Sequence, residues 1–152
     1  MKYERFEQLP VWQAGIDLSV QVYSLAANPA FRRQRSLRDQ IERAAVSISN
    51  NIAEGFERGT NQELLTFLYI ARGSSGEVRS RLCLLEKISA FRDLESEILN
   101  LKSNKVLRRF DETEKSTAHH KSSFEINAPF EKALDAILKV KPEQKKPNIK
   151  DS

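Results

Sequence analysis

Apolar residues recur every three or four positions over two long stretches of the chain, Leu37–Ile52 and Leu64–Leu85. This spacing keeps side chains on one face of an α-helix and therefore predicts two long helices. The residues on the predicted buried faces are Leu37, Ile41, Ala44, Ala45, Ile48 and Ile52 in the first stretch, and Leu64, Leu68, Ala71, Ser75, Val78, Leu82 and Leu85 in the second.

A short turn separates these two stretches. Gly55 is predicted to end the first helix in the left-handed conformation that glycine adopts readily. Thr60 and Glu63 have the spacing of a capping box, in which the hydroxyl and the carboxylate each accept a hydrogen bond from a free backbone amide. Because so short a link leaves little room between the helices, we expect them to be antiparallel neighbours.

An earlier helix is predicted to begin at Pro10, where the missing N–H of proline is no loss, and to end at Asn28-Pro29. Its apolar residues form two adjacent stripes, so the helix is expected to contact more than one neighbour. These residues are Val11, Ala14, Gly15, Leu18, Val22 and Leu25 in one stripe, and Trp12, Ile16, Val20 and Tyr23 in the other.

Between this helix and the next lies an arginine-rich connector, Phe31–Arg38. Ser36 is predicted to be the N-cap of the second helix, with Asp39 at the third helical position. The helix is expected to reach about Glu54. Its polar run Ser47–Asn51 is a weak helix former and indicates either a bend or a polar contact with another helix or chain.

The third helix carries small residues at 73–76, in its middle. Each glycine there costs the helix roughly 1 kcal/mol relative to alanine. Small residues allow another backbone to approach closely, either within one protomer or between protomers. The candidates for an oligomer or tight helix contact are Trp12, Asn50, Asn51, Gly73, Ser74, Ser75 and Gly76.

After Phe91 the apolar pattern weakens, but Leu94–Phe110 suggests a fourth helix ending near Thr113. The prediction is thus an all-α fold, an antiparallel up-down four-helix bundle over residues 1–114. Residues 115–140 are expected to form a loop and a short amphipathic helix, and the lysine-rich tail 141–152 to be disordered.

The 152 residues carry a net charge of +4, which favours a polyanionic partner, although many soluble proteins are mildly basic. The densest basic patch surrounds the connector, beside the aromatic Phe31 and with Trp12 and Tyr23 as further aromatic candidates. Such a patch either holds phosphates or pairs with the carboxylates of a neighbour. The candidate nucleic-acid-binding residues are Arg32, Arg33, Arg35, Arg38 and Arg43, together with Lys102, Lys105, Arg108 and Arg109 in the fourth helix.

No catalytic or cofactor-binding pattern is visible in the sequence. The histidines, His119 and His120, lie outside the predicted helices and lack the preceding glutamates of a di-iron bundle. No phosphate-binding glycine loop is present, and Cys83 is expected to be a partly buried structural residue. We therefore expect a cytoplasmic, non-enzymatic protein without metal or cofactor, and find no apolar run as long as a membrane span.

Three segments of the chain resemble a known family: Leu9–Ala14, Ile41–Phe56 and Phe67–Ser74. They are similar to the four-helix-bundle proteins first named for their genes in intervening sequences of 23S ribosomal RNA. The resemblance covers residues 5–90. It implies an antiparallel four-helix protomer, a ring-shaped homopentamer, and kinship with accessory proteins of diversity-generating retroelements, which bind nucleic acid and a reverse transcriptase.

Three hypotheses about function follow, the third of which is an enzyme with a site between subunits. The first is a homo-oligomeric module that binds RNA or DNA. The second is an oligomeric scaffold that holds a protein partner and has no role with nucleic acid. A basic face shared around the ring favours the first, and evenly mixed charges favour the second. A deep pocket with converging carboxylates favours the third.

Overall fold

A computed structural model describes residues 3–108, and every regular element in that range is helical, so the predicted all-α class is confirmed there. The predictions for 109–152, including the helix end near Thr113, the segment 115–140 and the tail, lie outside the described residues. The α-helices are α1 (Pro10–Ala26), α2 (Arg35–Glu57), α3 (Asn61–Lys87) and α4 (Glu95–Lys102), and the short 3-10 helices are Phe6–Gln8, Pro29–Arg33 and Ser89–Leu94.

The predicted limits of α1 are confirmed. Pro10 is its first residue, and the helix ends at Ala26, just before the Asn28-Pro29 signal. The side-chain oxygen of Asn28 then accepts a hydrogen bond from the Ala30 amide at 3.0 Å. This bond caps the 3-10 helix that leads into the connector, and so it fixes the direction of the chain after α1.

The predicted start of α2 is wrong. The helix begins at Arg35, with Gln34 as an N-cap that makes no side-chain bond. Ser36 lies inside the first turn, where its hydroxyl accepts a hydrogen bond from the side-chain Nε2 of Gln40 at 3.1 Å. The preceding 3-10 helix runs almost directly into α2, because the Gln34 N–H bonds back to the Phe31 carbonyl. No separate serine cap is therefore needed.

The predicted end of α2 at Gly55 is also wrong, since the helix continues to Glu57. The left-handed residue is Gly59, with a φ of 81°. Gly55 is required for a different reason, a close approach of α3. A Cβ atom on Gly55 would lie 2.6 Å from the Cβ of Phe67 and 3.2 Å from the Cα of Leu64.

At the start of α3 the predicted cap is confirmed in one half only. The Thr60 hydroxyl accepts a hydrogen bond from the Glu63 amide at 3.2 Å. The Glu63 carboxylate accepts from the Thr60 hydroxyl at 2.7 Å, whereas a complete capping box would have it accept from the Thr60 amide. The cap nevertheless starts α3 at Asn61, after a link of three residues.

Helices α2 and α3 are antiparallel, as predicted. Gly55 near the end of α2 meets Phe67 near the start of α3, whereas Ser47, further back in α2, meets Ser74, further along α3. The hydroxyl oxygens of these two serines are 2.8 Å apart. The polar run of α2 is thus a contact with a second helix of the same chain, and α2 is continuous through it.

The core lies among all four helices, with α2 between α1 and α3 and α4 touching both of those. Its largest fully buried side chains are Phe31, Phe91, Leu9, Leu18, Ile41, Ile48, Ile52, Leu68, Leu82, Leu85, Ile98 and Leu107. The rings of Phe31 and Phe91 are 4.5 Å apart, so the 3-10 helices after α1 and after α3 meet at one end of the molecule.

The predicted fourth helix is not continuous. Helix α4 has eight residues and ends at Lys102, and residues 105–108 are helical again after a break at Ser103 and Asn104. The Asn104 side chain accepts from the Val106 amide at 2.9 Å, a local bond that favours a helix start over continuation. Helix α4 lies beside the C-terminal ends of α1 and α3: its Leu101 borders one cavity together with Leu25 of α1, and its Lys102 bonds to Glu86 of α3.

Along the described residues, no helix combines the length and apolar composition needed to cross a bilayer.

We predict that Gly55→Ala destabilises the fold by about 1 to 3 kcal/mol, because the added methyl group collides with Phe67 at the α2–α3 contact. Denaturant unfolding followed by circular dichroism measures this change. The control is Gly59→Asn, which keeps a residue that tolerates the left-handed conformation in open space and should change the stability by less than about 1 kcal/mol. Equal stability of Gly55→Ala and wild type would contradict the close approach.

Candidate nucleic-acid interface

Three arginines of the connector lie exposed at the end of the molecule where the two 3-10 helices meet. Arg32 and Arg33 close the 3-10 helix Pro29–Arg33, and Arg35 begins α2. The preceding Phe31 is buried against Phe91, which fixes the position of this short segment. The charged side chains therefore emerge from an anchored backbone.

These arginines have no carboxylate partners in the described range. Within residues 3–108, none of Arg32, Arg33, Arg35 and Arg43 forms an ion pair. Arg38 differs, since it lies 3.4 Å from Asp39 and 3.9 Å from Glu42. Pairing of the connector with carboxylates is thus observed for Arg38, and the other four keep their charge available.

The aromatic residues expected beside the patch are placed differently from the prediction. Phe31 is 1% exposed and cannot stack on a base. Trp12 packs edge-on against Phe6, with ring centroids 5.2 Å apart, near the start of α1 and away from the arginine end. Tyr23 is half exposed and lies one turn before the end of α1, so it is the aromatic candidate nearest to the connector in the chain.

The structure separates Arg43 from the rest of the patch. Eight residues of helix place it about 12 Å along the axis from Arg35. There it lines a groove between α2 and α3 together with Arg81 and Glu77. Arg81 was not predicted as a site residue. The antiparallel pairing offers the missing signal, because Ser47 opposite Ser74 places Gln40, seven residues back, opposite Arg81, seven residues on.

The second predicted basic cluster, in the fourth helix, is not a continuous face. The Lys102 ammonium donates to both carboxylate oxygens of Glu86 at 2.9 Å, and this hydrogen bond raises the pKa of Lys102 above its ordinary value. Its charge is therefore matched by Glu86. Lys105 and Arg108 are exposed but follow the break after α4, which removes the helical spacing of the prediction. Arg109 lies outside the described residues.

The small residues of α3 fall on two different sides. Ser74 and Ser75 are buried, but a Cβ added to Gly73 or Gly76 would meet no atom of residues 3–108 within 4 Å. A tight crossing with another described helix therefore does not explain the glycines. Of the asparagines, Asn51 donates to the Ser47 carbonyl at 2.7 Å, and Asn50 is exposed without a hydrogen-bond partner among residues 3–108.

Large apolar side chains lie exposed near these glycines. On α3, Tyr69 and Ile70 precede Gly73 by about one turn, and Leu84 follows Gly76 by about two turns. Each of the three is more than 40% exposed, and Val20 on α1 is 63% exposed. The second apolar stripe of α1 is thus only partly covered by the described part of the chain.

The described residues offer neither a metal site nor a buried thiol. Residues 3–108 contain no group of three or more possible metal ligands, while His119 and His120 lie outside that range. Cys83 is exposed, which corrects the expectation of a partly buried position.

Over residues 3–108 the protein is an all-helical fold with an exposed arginine-rich end. The chain belongs to the 23S rRNA-intervening sequence protein family, whose family model matches residues 7–112. The resemblance of residues 5–90 is thereby confirmed and extended. No curated protein and no solved structure matches the chain.

We predict that phenylglyoxal, which attacks exposed guanidinium groups, modifies Arg32, Arg33 and Arg35 faster than Arg38. The first three lack an ion pair within residues 3–108, whereas Arg38 is flanked by two carboxylates. Peptide mass spectrometry over time measures each rate. Arg58, which is exposed but bonded to Glu54 at 2.7 Å, is the control for exposure alone. Modification of Arg38 as fast as Arg32 would contradict the assignment.

Proposed function

We propose that this protein is a non-enzymatic, cytoplasmic homo-oligomer that binds RNA or DNA through the connector arginines. The observation that carries the proposal is the cluster of Arg32, Arg33 and Arg35, three exposed cations within four positions on a backbone anchored by Phe31. No ion pair within residues 3–108 competes for them. Exposed guanidinium groups without a carboxylate partner can bind phosphate oxygens, by charge and by paired hydrogen bonds.

Binding of this kind contacts the backbone of the nucleic acid. Phosphate contacts position a strand without reading its bases, and the described residues present no base-reading motif. We therefore expect tolerance of sequence and a steep loss of affinity with salt, since each neutralised phosphate releases counterions.

Self-association supports the same proposal. Gly73 and Gly76 each cost α3 roughly 1 kcal/mol relative to alanine, and nothing within residues 3–108 requires the missing side chain. Exposed Tyr69, Ile70 and Leu84 lie on the same helix. A second copy of the chain packed on this face would bury the apolar side chains and make use of the glycines.

A homopentamer of four-helix protomers is the assembly that the family resemblance suggests. Five copies of a chain with a charge of +4 carry +20, and each copy adds one arginine cluster. A strand that reaches several clusters gains affinity through avidity, by ~100-fold or more where the spacing fits. A reverse transcriptase is the protein partner that the same resemblance suggests.

A scaffold without a nucleic-acid role is the second candidate function. It is favoured by the exposed apolar side chains of α1 and α3, Val20 and Leu84 among them, because they suit a protein partner as well as a second copy. The measurements below separate the two functions.

Binding to a labelled single-stranded RNA, measured by fluorescence anisotropy at several salt concentrations, tests the proposed role of the connector arginines. The variant Arg32→Ala, Arg33→Ala, Arg35→Ala should bind at least tenfold more weakly than wild type. The slope of log affinity against log salt concentration should be shallower by about 2, because three phosphate contacts are lost and each contributes roughly 0.7 to that slope.

The control variant Arg5→Ala, Arg58→Ala, Lys102→Ala removes the same charge from cations that already have carboxylate partners. It should retain the salt dependence and most of the affinity. No binding by wild type at low salt would favour the scaffold, and equal weakening in both variants would show that net charge alone matters.

The second prediction concerns Gly73→Ala with Gly76→Ala. In a free protomer these changes add helix propensity and meet no atom, so stability should rise by up to about 2 kcal/mol. If copies of the chain pack together through the Gly73 and Gly76 side of α3, the two added methyl groups should weaken their association. Light scattering coupled to size exclusion, at micromolar concentrations, measures the mass.

Gln62→Ala, exposed in the first turn of the same helix, is the control and should leave the mass unchanged. A monomer mass for wild type, or an unchanged mass in the double variant with a higher melting temperature, would contradict assembly through this face.

A further inference from the structure

The groove between α2 and α3 has a basic lining at mid-height of the two helices. It encloses about 270 Å³. Gln40, Arg43 and Ser47 line it from α2, and Ser74, Glu77 and Arg81 line it from α3. It lies apart from the connector cluster, because α2 carries Arg43 about 12 Å beyond Arg35.

The floor of this groove is already hydrogen-bonded. Asn51 donates to the Ser47 hydroxyl at 3.0 Å, the two serine hydroxyls are 2.8 Å apart, and Ser74 donates to the Ile70 carbonyl at 3.2 Å. These bonds run in one direction, so Ser47 is the donor to Ser74, and both hydroxyl protons are used. The serines therefore fix the helix spacing, and the rim carries the free charge.

The two arginines of the rim are in different states. Arg43 is exposed and has no ion pair within residues 3–108. Arg81 is largely covered, with a side chain 22% exposed, and one terminal nitrogen lies 3.3 Å from the Glu77 carboxylate and 3.1 Å from the Glu77 carbonyl oxygen. Its buried Nε–H finds no acceptor in the described part of the chain.

A buried guanidinium N–H without an acceptor is costly. The second terminal nitrogen of Arg81 also has no acceptor among residues 3–108, so an oxygen-rich anion in the groove would supply this guanidinium with hydrogen bonds that it lacks. We propose that this groove binds a single phosphoryl group between Arg43 and Arg81. A tetrahedral phosphoryl group presents acceptor oxygens in several directions, so it can face one arginine from each helix, whereas a carboxylate with two coplanar oxygens is matched by one guanidinium fork.

The phosphoryl group has two possible sources, a nucleic-acid backbone or a small phosphorylated molecule. Assignment to a strand rests on the proposed function, because the strand would pass from the connector arginines along α2 to this groove. The groove itself needs only one chain, so it can be tested independently of assembly and of strand binding.

Removal of the Glu77 charge should strengthen phosphate binding, whereas removal of an arginine should weaken it. Glu77 pairs with Arg81, four residues later in α3. Glu54 pairs in the same way with Arg58 at the C-terminal end of α2, away from the groove. Glu77→Gln frees a guanidinium at the groove, and Glu54→Gln frees one outside it with the same change of net charge. Only the first should tighten binding if the groove is the site.

The experiment uses the full chain, with arginine Nε–Hε signals followed by ¹H–¹⁵N NMR. Inorganic phosphate, a nucleoside monophosphate and a short single-stranded RNA are each titrated at constant ionic strength. We expect the Arg81 signal to shift with at least one of them. Arg43→Gln should weaken that binding by about tenfold, the effect of one charged hydrogen bond, and Glu77→Gln should strengthen it severalfold.

A shift with phosphate or mononucleotide assigns a small-molecule source, and a shift with RNA alone assigns the strand; both support the site. No shift of Arg81 with any ligand, or equal tightening by Glu77→Gln and Glu54→Gln, overturns it. A phosphate shift without RNA binding would leave the groove standing and reject the proposed function. RNA binding that is lost with the connector arginines, together with no shift of Arg81 in any titration, would support the proposed function and reject the groove.

Discussion

The close antiparallel packing of α2 on α3 is the contact on which the rest of the structure depends. Gly55 allows α3 to approach so closely that a methyl group would collide with Phe67. Two turns earlier in α2, the Ser47–Ser74 hydrogen bond fixes which residues face each other. A shift by one residue along either helix would break this bond and bring different side chains to the groove. The positions of Arg43 and Arg81 thus follow from a steric contact and a hydrogen bond.

The helices of this chain were predictable because their signals are local. Apolar spacing, Pro10 and the Thr60 hydroxyl each act within one or two turns. Helix α1 was predicted well, and the cap of α3 was predicted in one of its two hydrogen bonds. The prediction for Gly55 failed because a contact with another helix determines the role of that residue. Gly55 reads as a terminator in the sequence, yet it is a contact residue for α3, and Gly59 takes the left-handed conformation four positions later.

The candidate site was predicted less well than the fold, for the same physical reason. Basic residues are visible in any sequence, but whether a cation is available depends on which carboxylate it meets. Arg38 and Lys102 appear equivalent to Arg32 in the sequence. In the structure Glu42 and Glu86 lie close to the first two. Arg81 escaped prediction because it joins Arg43 only through helix packing, 38 positions away in the chain.

The small residues in the middle of α3 lie on two different surfaces of the helix. Successive helical residues point about 100° apart, so Gly73 and Ser74 lie on different parts of the helix surface. Ser74 faces α2 and sets the depth of the groove, while Gly73 and Gly76 leave the outer side flat. A second copy packed on that outer side would leave the groove open. Because Ile70 and Leu84 lie between the two surfaces on the helix, such a copy would border the groove and reduce its exposure to water. Lower exposure strengthens the attraction between a guanidinium and a phosphate, so assembly and anion binding would support each other.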